Sequence, residues 1–311
     1  MINFFCNCYS LISRDNKILK KLKIYALYRI ITRYIANQLL PIYLRLTSNN
    51  DKYRLQETTK KSGRVVVSFT SFPARINKVW MVVETILRQT VKPDMITLWL
   101  SIKQFPSLNS LPDSLLELQE RGLVIGLIDE DYRSHNKYYY AMEQYPNDIV
   151  ITIDDDIIYE SYMIEKLLDT HRKYPMNVIA NNTRSITFDN NNKLMSYKKF
   201  STIKEDIDKH VFQLGVGGVL YPPHVMYKDL LIPHIFMEKC KFADDMWLYA
   251  MCRLNNTNIK STNAVISHLS ITFQNDIKLS SVNVGENLND VQINNIRNYY
   301  IDKLSIDPFG Y

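Results

Sequence analysis

The sequence predicts an α/β fold in which helices flank a largely parallel central sheet, with a helical extension at the N-terminus. From residue 64 onward, β-branched runs that suit buried strands alternate with segments whose apolar residues recur at helical spacing. Before residue 62, the chain is basic and reads as a helix followed by a polar linker. With 311 residues, 46% of them hydrophobic and 23% charged, the chain suits one folded domain plus this extension. We therefore expect an extension at 1–61 and a domain at 62–311.

Strands and helices are predicted in regular alternation between residues 64 and 153. The strands are the continuous apolar runs at 64–69, 95–100, 123–128 and 148–153. The helices between them are predicted at 77–89, 112–121 and 137–144, the second of them closed by Gly122. The fourth strand leads directly into an acidic run, so we expect that run at the end of a sheet strand.

The extension carries most of the positive charge. Residues 16–61 contain eleven Lys and Arg against two Asp and Glu, whereas the whole chain has a formal net charge of +6. The body is therefore slightly acidic, which argues against a nucleic-acid partner. Residues 17–46 are predicted to be helical up to about Leu40, where Pro41 interrupts the helix. Charges recur too often there for a membrane-spanning helix. Two interpretations stay open: packing on the body, or contact with the inner face of the cytoplasmic membrane.

A cytoplasmic location is expected from the absence of targeting and disulfide signals. Residues 1–15 are partly apolar but lack a basic leader and a small-residue cleavage site, so no signal peptide is predicted. The spacing of the four cysteines predicts neither a zinc cluster nor a disulfide framework. Any membrane contact is expected to be peripheral.

The acidic run Asp154-Asp155-Asp156 is the most informative motif. Carboxylates this close repel one another and raise one another's pKa unless a cation balances them. A hard divalent ion such as Mn²⁺ or Mg²⁺ prefers such oxygen ligands. At the carboxyl end of a sheet strand, where open α/β folds bind ligands, the run is a candidate metal and diphosphate site. The alternative is a solvated acidic turn without a ligand.

A glycine-rich segment and an acidic pair follow later in the chain. Residues 215–223, GVGGVLYPP, hold Gly217 and Gly218, which allow either close backbone approach to a ligand or a β-bulge. Asp244 and Asp245 open a predicted helix, where acidic residues favour the helix N-terminus; one of them is alternatively a positioned general base. His268 stands alone after an apolar run, and its candidacy as a metal ligand depends on the acidic run.

These motifs together carry a resemblance to known enzymes. Residues 70–75 (TSFPAR), the acidic run, GVGGVLYPP and FADDMW occur in the order typical of GT-A glycosyltransferases. More closely, the set resembles a bacterial family-2-like group found in capsule and lipopolysaccharide gene clusters, over roughly residues 64–300. The acidic run resembles the DxD motif of those enzymes. A departure is that their usual Glu-Asp is Asp-Asp here, which leaves open which of Asp244 and Asp245 is the base.

The resemblance implies a GT-A, Rossmann-like fold and metal-dependent transfer of a sugar from a nucleoside diphosphate, with uridine diphosphate the expected carrier. The acceptor is expected to be a hydroxyl of a glycan or a polyprenyl-linked glycan, with inversion expected and retention left open. The implied site residues, by role, are Asp154, Asp156 and His268 for Mn²⁺ or Mg²⁺; Thr70, Arg75, Asp129, Lys137, Asp154 and Asp155 for the nucleotide sugar; Gly217, Gly218 and Trp247 for the donor and acceptor pocket; and Asp245 or Asp244 for the base.

Two other functions remain as alternatives. A sugar-1-phosphate nucleotidyltransferase shares the layout and the metal, but it needs a Gly-rich loop after the first strand, and SFTSFPARI has no glycine there. A non-catalytic, membrane-associated glycan-assembly protein would be expected to lose its acidic residues, yet both acidic motifs are present.

Overall fold

The computed structural model describes residues 1–11, 24–56, 58–202, 210–264, 266–273 and 287–310. The strands of this part are β1 (Val65–Thr70), β2 (Met95–Ser101), β3 (Leu123–Ile128), β4 (Ile149–Thr152), β5 (Val178–Ser185), β6 (Ser201–Thr202), β7 (Val211–Tyr221) and β8 (Ile259–Ser261). Its helices are α1 (Ile2–Ser10), α2 (Ile24–Leu46), α3 (Val79–Leu87), α4 (Asp113–Leu116), α5 (Asn136–Gln144), α6 (Met163–Lys173), α7 (Pro233–Lys239), α8 (Asp244–Leu254) and α9 (Leu288–Leu304).

One mixed sheet organises the fold. The strand order is β3-β2-β1-β4-β7-β5-β6, and β8 pairs with β5. The first four strands are mutually parallel, β7 runs antiparallel to both β4 and β5, and β8 is parallel to β5. The predicted fold class is confirmed: an α/β, Rossmann-like fold with a mostly parallel sheet, flanking helices and helices at the N-terminus.

The central strand β1 shows why the sheet is covered on both faces. Its side chains alternate, so Val67 and Phe69 join the large apolar core that includes α3 and α6. Val66 is also fully buried, and Ser68 on the same face bonds the carbonyl of Lys137 in α5. A strand buried on both faces reads as a continuous β-branched run, which is the pattern that predicted it.

The N-terminal helices share the core of the body. Ala36, Leu40 and Leu44 of α2 are fully buried in the same apolar cluster as β1 and α3. The prediction that Pro41 ends this helix is wrong, because α2 continues through Pro41 to Leu46. Buried leucines lie on both sides of the proline, so packing of this face outweighs the hydrogen bond that proline removes.

The prediction of one helix over 112–121 holds only in part. Helix α4 ends at Leu116 and a 3₁₀ helix continues over Glu117–Arg121. Gly122 closes it as predicted, with φ of 106°, a left-handed conformation that suits glycine. Arg121 reaches the carboxylate of Glu84 in α3, a tertiary contact that no local pattern indicates. None of the helices in the described ranges combines the length and hydropathy needed to cross a bilayer.

Candidate active site

The acidic run lies at the carboxyl edge of the sheet. β4 ends at Thr152, and the Ile153 N–H still donates to the Ser68 carbonyl of β1 at 3.1 Å. The turn that follows therefore lies beside the end of β1, where open α/β sheets bind ligands. The Asp154 N–H donates to the buried Tyr159 hydroxyl at 2.8 Å, which fixes the start of the turn.

Asp155 anchors this turn to the segment after β1. Its Oδ2 accepts a hydrogen bond from Ser71 at 2.6 Å, and its Oδ1 accepts one from Arg75 at 2.6 Å. Arg75 also lies 3.1 Å from Oδ2 of Asp156. Burial raises the pKa of Asp155, and the Arg75 charge and the Ser71 hydrogen bond oppose that rise. Each Asp155 oxygen therefore has a buried partner, the Arg75 guanidinium at Oδ1 and the Ser71 hydroxyl at Oδ2. The predicted contact of Asp155 with a ribose or metal stays a prediction.

Lys137 joins the two acidic motifs. Its Nζ lies 3.0 Å from Oδ1 of Asp154 and 2.9 Å from Oδ2 of Asp244. The lysine is buried, and burial alone would lower its pKa, but the surrounding carboxylates more than offset that and raise it well above the usual value. The Ser68 hydroxyl donates to the Lys137 carbonyl at 2.6 Å and fixes the backbone at this position. An ammonium group thus bridges residues that are 90 positions apart in the sequence.

The acidic pair at the start of α8 divides into two environments. Asp244 is buried and paired with Lys137, whereas Asp245 is half-buried and its Oδ2 accepts a hydrogen bond from the Gly215 N–H at 3.1 Å. Burial, followed by the neighbouring Asp244 charge, raises the pKa of Asp245 to about 7. The N-cap residue Ala243 makes no side-chain cap. Both aspartates stand in the first turn of α8, as the helix-start alternative predicts, and their side chains also contact Lys137 and the Gly215 N–H.

The glycine-rich segment is a β-bulge. Ala180 pairs with Val219 and Asn182 pairs with Leu214, so residues 215–218 of β7 lie opposite a single residue of β5. Such a bulge bends a strand and re-aims its backbone. Here it directs the Gly215 N–H to Asp245.

Gly217 and Gly218 serve this bulge rather than an open pocket. Both are buried; a Cβ on Gly217 would lie 2.5 Å from Nδ2 of Asn182, and Gly218, with φ of 86°, faces Met163 of α6. The bulge alternative for this segment is therefore confirmed. The predicted lining of a donor and acceptor pocket by these two glycines is contradicted by their burial.

A Gly217→Ala substitution is expected to lower the free energy of unfolding by about 1–3 kcal/mol, because the new methyl overlaps the Asn182 side chain. Adding Asn182→Ala should recover most of that loss, since the overlapping atoms are removed. Denaturant unfolding of the single and double variants measures both values. A double variant no more stable than Gly217→Ala would show that the overlap is not the cause.

His268 lies next to the acidic turn through backbone pairing. The Ile158 N–H donates to the Leu269 carbonyl at 2.9 Å, and the Ile271 N–H donates to the Asp156 carbonyl at 2.8 Å. The His268 side chain is exposed, with its Nε2 2.7 Å from Nδ2 of Asn182.

Among the described residues, no three Asp, Glu, His or Cys side chains converge closely enough to hold a metal by themselves. The predicted set of Asp154, Asp156 and His268 is thus not assembled as a three-ligand site. The chemistry of the first two still suits a hard cation: among the described residues, Oδ2 of Asp154 has no hydrogen-bond partner, and its side chain is 31% exposed. Mg²⁺ commonly takes one or two carboxylates and completes its shell with substrate phosphates.

Other predicted site residues have mixed outcomes. The Thr70 hydroxyl donates to the Trp99 carbonyl at 2.8 Å, at the edge where the acidic turn lies. Asp129 is exposed directly after β3, two strands from β1 along the same edge. The prediction that Trp247 forms an acceptor platform is wrong, because the ring is fully buried and its indole N–H donates to the Leu230 carbonyl.

Sequence reasoning missed several residues that shape the site. Ser71 holds Asp155, Asn182 contacts His268, and Tyr159 receives the Asp154 N–H. Ser71 stands inside the TSFPAR motif, and its place in that motif is the only sequence feature that indicates a role in the site. Asn182 lies at the bulge and had none, because its contacts depend on the register between β5 and β7.

Two surface cavities lie away from these residues. One, of about 630 Å³, lies against α7 and α9, and the other, of about 680 Å³, lies beside the C-terminal end of α2. Neither contains a residue of the acidic site, so we assign the site from its side-chain contacts.

The comparisons with known proteins do not establish a family. No family model matches the chain, and no curated protein does. Among solved structures, a CMP:2-keto-3-deoxy-manno-octonic acid synthetase complexed with CTP is 12% identical, with a TM-score of 0.39, over 65% of this chain and 89% of that one. HddC from Yersinia pseudotuberculosis is 13% identical, with a TM-score of 0.32, over 51% and 76% of the two chains. The mannosyltransferase PcManGT from Pyrobaculum calidifontis, in complex with GDP-Man and Mn²⁺, is 12% identical, with a TM-score of 0.32, over 48% and 43%. Likenesses at this level carry no argument about activity.

Proposed function

We propose that the chain is a metal-dependent glycosyltransferase, which moves a sugar from a nucleoside diphosphate to an acceptor hydroxyl. The Lys137 bridge is the observation that carries the proposal. It brings a carboxylate pair suited to a metal-diphosphate group, Asp154 and Asp156, next to a second pair suited to proton transfer, Asp244 and Asp245. Both pairs lie at the carboxyl edge of an open α/β sheet.

Asp154 and Asp156 are the residues that would hold the Mn²⁺ or Mg²⁺ ion in this proposal. When bound, such an ion acts as a Lewis acid toward the departing diphosphate. Asp155 takes a positioning role, because its ion pair with Arg75 and its hydrogen bond from Ser71 hold the turn in place. Thr70 and Asp129 border the nucleotide along the same edge. Uridine diphosphate is the proposed carrier, and the acceptor is a glycan or a polyprenyl-linked glycan.

Asp245 is the proposed general base. Two features favour Asp245 over Asp244. Its side chain is partly accessible to solvent, and its partner is a backbone N–H, whereas the partner of Asp244 is a buried ammonium group. A pKa of about 7 suits a group that must take a proton near neutral pH. It would accept the proton of the acceptor hydroxyl as that oxygen attacks the anomeric carbon. Attack opposite the leaving diphosphate inverts the anomeric configuration.

The pH dependence of the reaction tests this assignment. The base must be ionised, and its pKa is raised to about 7, so kcat/KM is expected to fall about tenfold for each pH unit below 7 and to level off above it. An initial-rate profile of the wild-type protein measures this. A profile without a break near pH 7 would contradict Asp245 as a base with this pKa.

The function itself is tested by product analysis. The purified chain is incubated with Mn²⁺, a panel of nucleoside-diphosphate sugars and glycan acceptors, and the released nucleoside diphosphate is measured. Acceptor-dependent release from one donor supports the proposal. Pyrophosphate release from a nucleoside triphosphate with a sugar 1-phosphate would instead identify a nucleotidyltransferase, and inactivity toward all pairs would favour the non-catalytic alternative.

A further inference from the structure

Helix α2 has an apolar face that lies exposed in the part of the chain that the structure describes. The exposed apolar side chains on this helix are Ile24, Leu27, Ile30, Ile31, Tyr34, Ile35, Leu39, Ile42 and Leu46, each between 42% and 81% exposed. Many of them recur three, four or seven positions apart, so the nine lie on one side of the helix, within an arc of about 180°. Ile24, Leu27, Ile31 and Ile42 lie within about 60°. We call the nine residues the outer face.

The opposite side of the same helix is already used. Thr32, Ala36, Leu40 and Leu44 are buried against the body. A helix with apolar residues on both sides is expected to be covered on both. Contiguous exposed apolar surface of this kind marks an interaction site, because isolated exposed residues are common but continuous patches are not.

The charge of the sequence in and before α2 is the argument for the kind of partner that the outer face binds. Between residues 16 and 50 the sequence contains seven Lys and Arg and no Asp or Glu. On the helix, Arg29 does not interrupt the outer face, because its guanidinium carbon lies 3.9 Å from the centre of the Tyr9 ring of α1. Arg45 is exposed within the face, but its guanidinium carbon lies 5.1 Å from the centre of the Trp80 ring of α3, so its charged end turns toward the body.

We infer that the outer face of α2 binds the surface of an anionic lipid bilayer. An interfacial helix inserts apolar side chains at the boundary between headgroups and acyl chains, while nearby basic residues attract anionic headgroups. The helix spans 23 residues, but no described helix has the hydropathy to cross a bilayer, so it lies along the surface. A second copy of the chain is the less suitable occupant, because a two-fold contact would bring two acid-free basic segments together.

Hydrogen bonds of Asn37 connect helix α2 to the segment that pairs with the acidic turn. The Asn37 amide of α2 donates to the Ser270 carbonyl at 3.1 Å, and its oxygen accepts from the Thr272 N–H at 2.8 Å. Between these two residues, the Ile271 N–H bonds the Asp156 carbonyl. Lipid binding by α2 therefore holds the acidic turn near the membrane, where a lipid-linked acceptor would be found. This last consequence rests on the proposed function, whereas lipid binding itself does not.

Vesicle sedimentation of the full chain tests the inference without any activity assay. The wild-type protein is mixed with phosphatidylcholine vesicles with and without phosphatidylglycerol. We expect partitioning to be at least about tenfold stronger with the anionic lipid. The triple variant Leu27→Gln, Ile31→Gln, Ile42→Gln should lose at least about tenfold of it. The matched control is Met176→Gln, Val291→Gln, Ile306→Gln, three similarly exposed apolar residues elsewhere, which should bind as the wild type does.

Several results would overturn the inference. These are no binding of the wild type to anionic vesicles, equal binding to both vesicle types, or equal losses in the two triple variants. Light scattering provides one more test. If the wild type is a dimer and the triple variant of α2 is a monomer, the outer face binds a second copy of the chain. Equal unfolding midpoints of the three proteins establish that the substitutions act on binding.

Discussion

An Asp245→Asn substitution is expected to lower kcat by about 10²–10⁴-fold, the range that a general base contributes. The fold should not be disturbed. The amide is isosteric with the carboxylate, and its oxygen can still accept the Gly215 N–H. It cannot take a proton from an acceptor hydroxyl. Because the carboxylate it replaces is destabilised by burial and by Asp244, the unfolding midpoint should stay the same or rise slightly. Steady-state rates and a denaturant titration measure the two quantities.

Asp113→Asn is the matched control for this experiment. Asp113 also stands in the first turn of a helix, but it is exposed. Its substitution should leave kcat unchanged, which separates loss of the base from loss of a helix-terminal charge. If Asp245→Asn kept more than about a tenth of the wild-type kcat, the assignment of the base would be refuted.

A Lys137→Met substitution is expected to lower the free energy of unfolding by about 3–5 kcal/mol, the typical loss when one partner of a buried ion pair is removed. The methionine preserves much of the side-chain volume but leaves Asp244 buried and without its cation, next to Asp154. Denaturant unfolding at neutral pH measures the change. Adding Asp244→Asn should recover part of the loss, because it removes one of the uncompensated charges.

Lys103→Met provides the comparison. Lys103 and Glu130 form an ion pair at 3.4 Å with both side chains more than 60% exposed. Solvent screens such a pair, so its loss should change stability by less than about 1 kcal/mol. Similar effects for the two lysines would mean that the Lys137 bridge does not hold the acidic motifs together.

The sequence predicted the order and type of the first elements because their signals are local. The β-branched run of β1 and the glycine after residue 121 each encode a conformation within a few residues. Pro41 shows the limit of such signals: it disfavours a helix locally, yet Leu40 and Leu44 bury the helix on either side of it. That outcome depends on packing, which neighbouring residues do not reveal.

The candidate site was only partly predictable for a related reason. Both acidic motifs were found, but the bridge between them depends on Lys137, which is 107 residues before Asp244 in the chain. Sequence spacing carries no information about such a contact. The position of Trp247 beside the acidic pair predicts a place in a pocket, but its side chain lies on the face of α8 that is buried in the core. Residues next to each other on a helix point in different directions, so proximity in sequence did not imply a shared surface.

Calorimetric binding of nucleoside diphosphates tests the central claim most directly. Uridine, guanosine, adenosine and cytidine diphosphates are titrated into the wild-type protein and into Asp156→Ala, with Mn²⁺ and with a chelator, after circular dichroism has shown that the variant is folded. The proposed site predicts that one nucleotide binds in the presence of metal, and that the chelator or the substitution weakens its binding at least about tenfold. Binding of no nucleotide, or binding that neither the chelator nor Asp156→Ala changes, would contradict a metal-diphosphate site at the acidic turn.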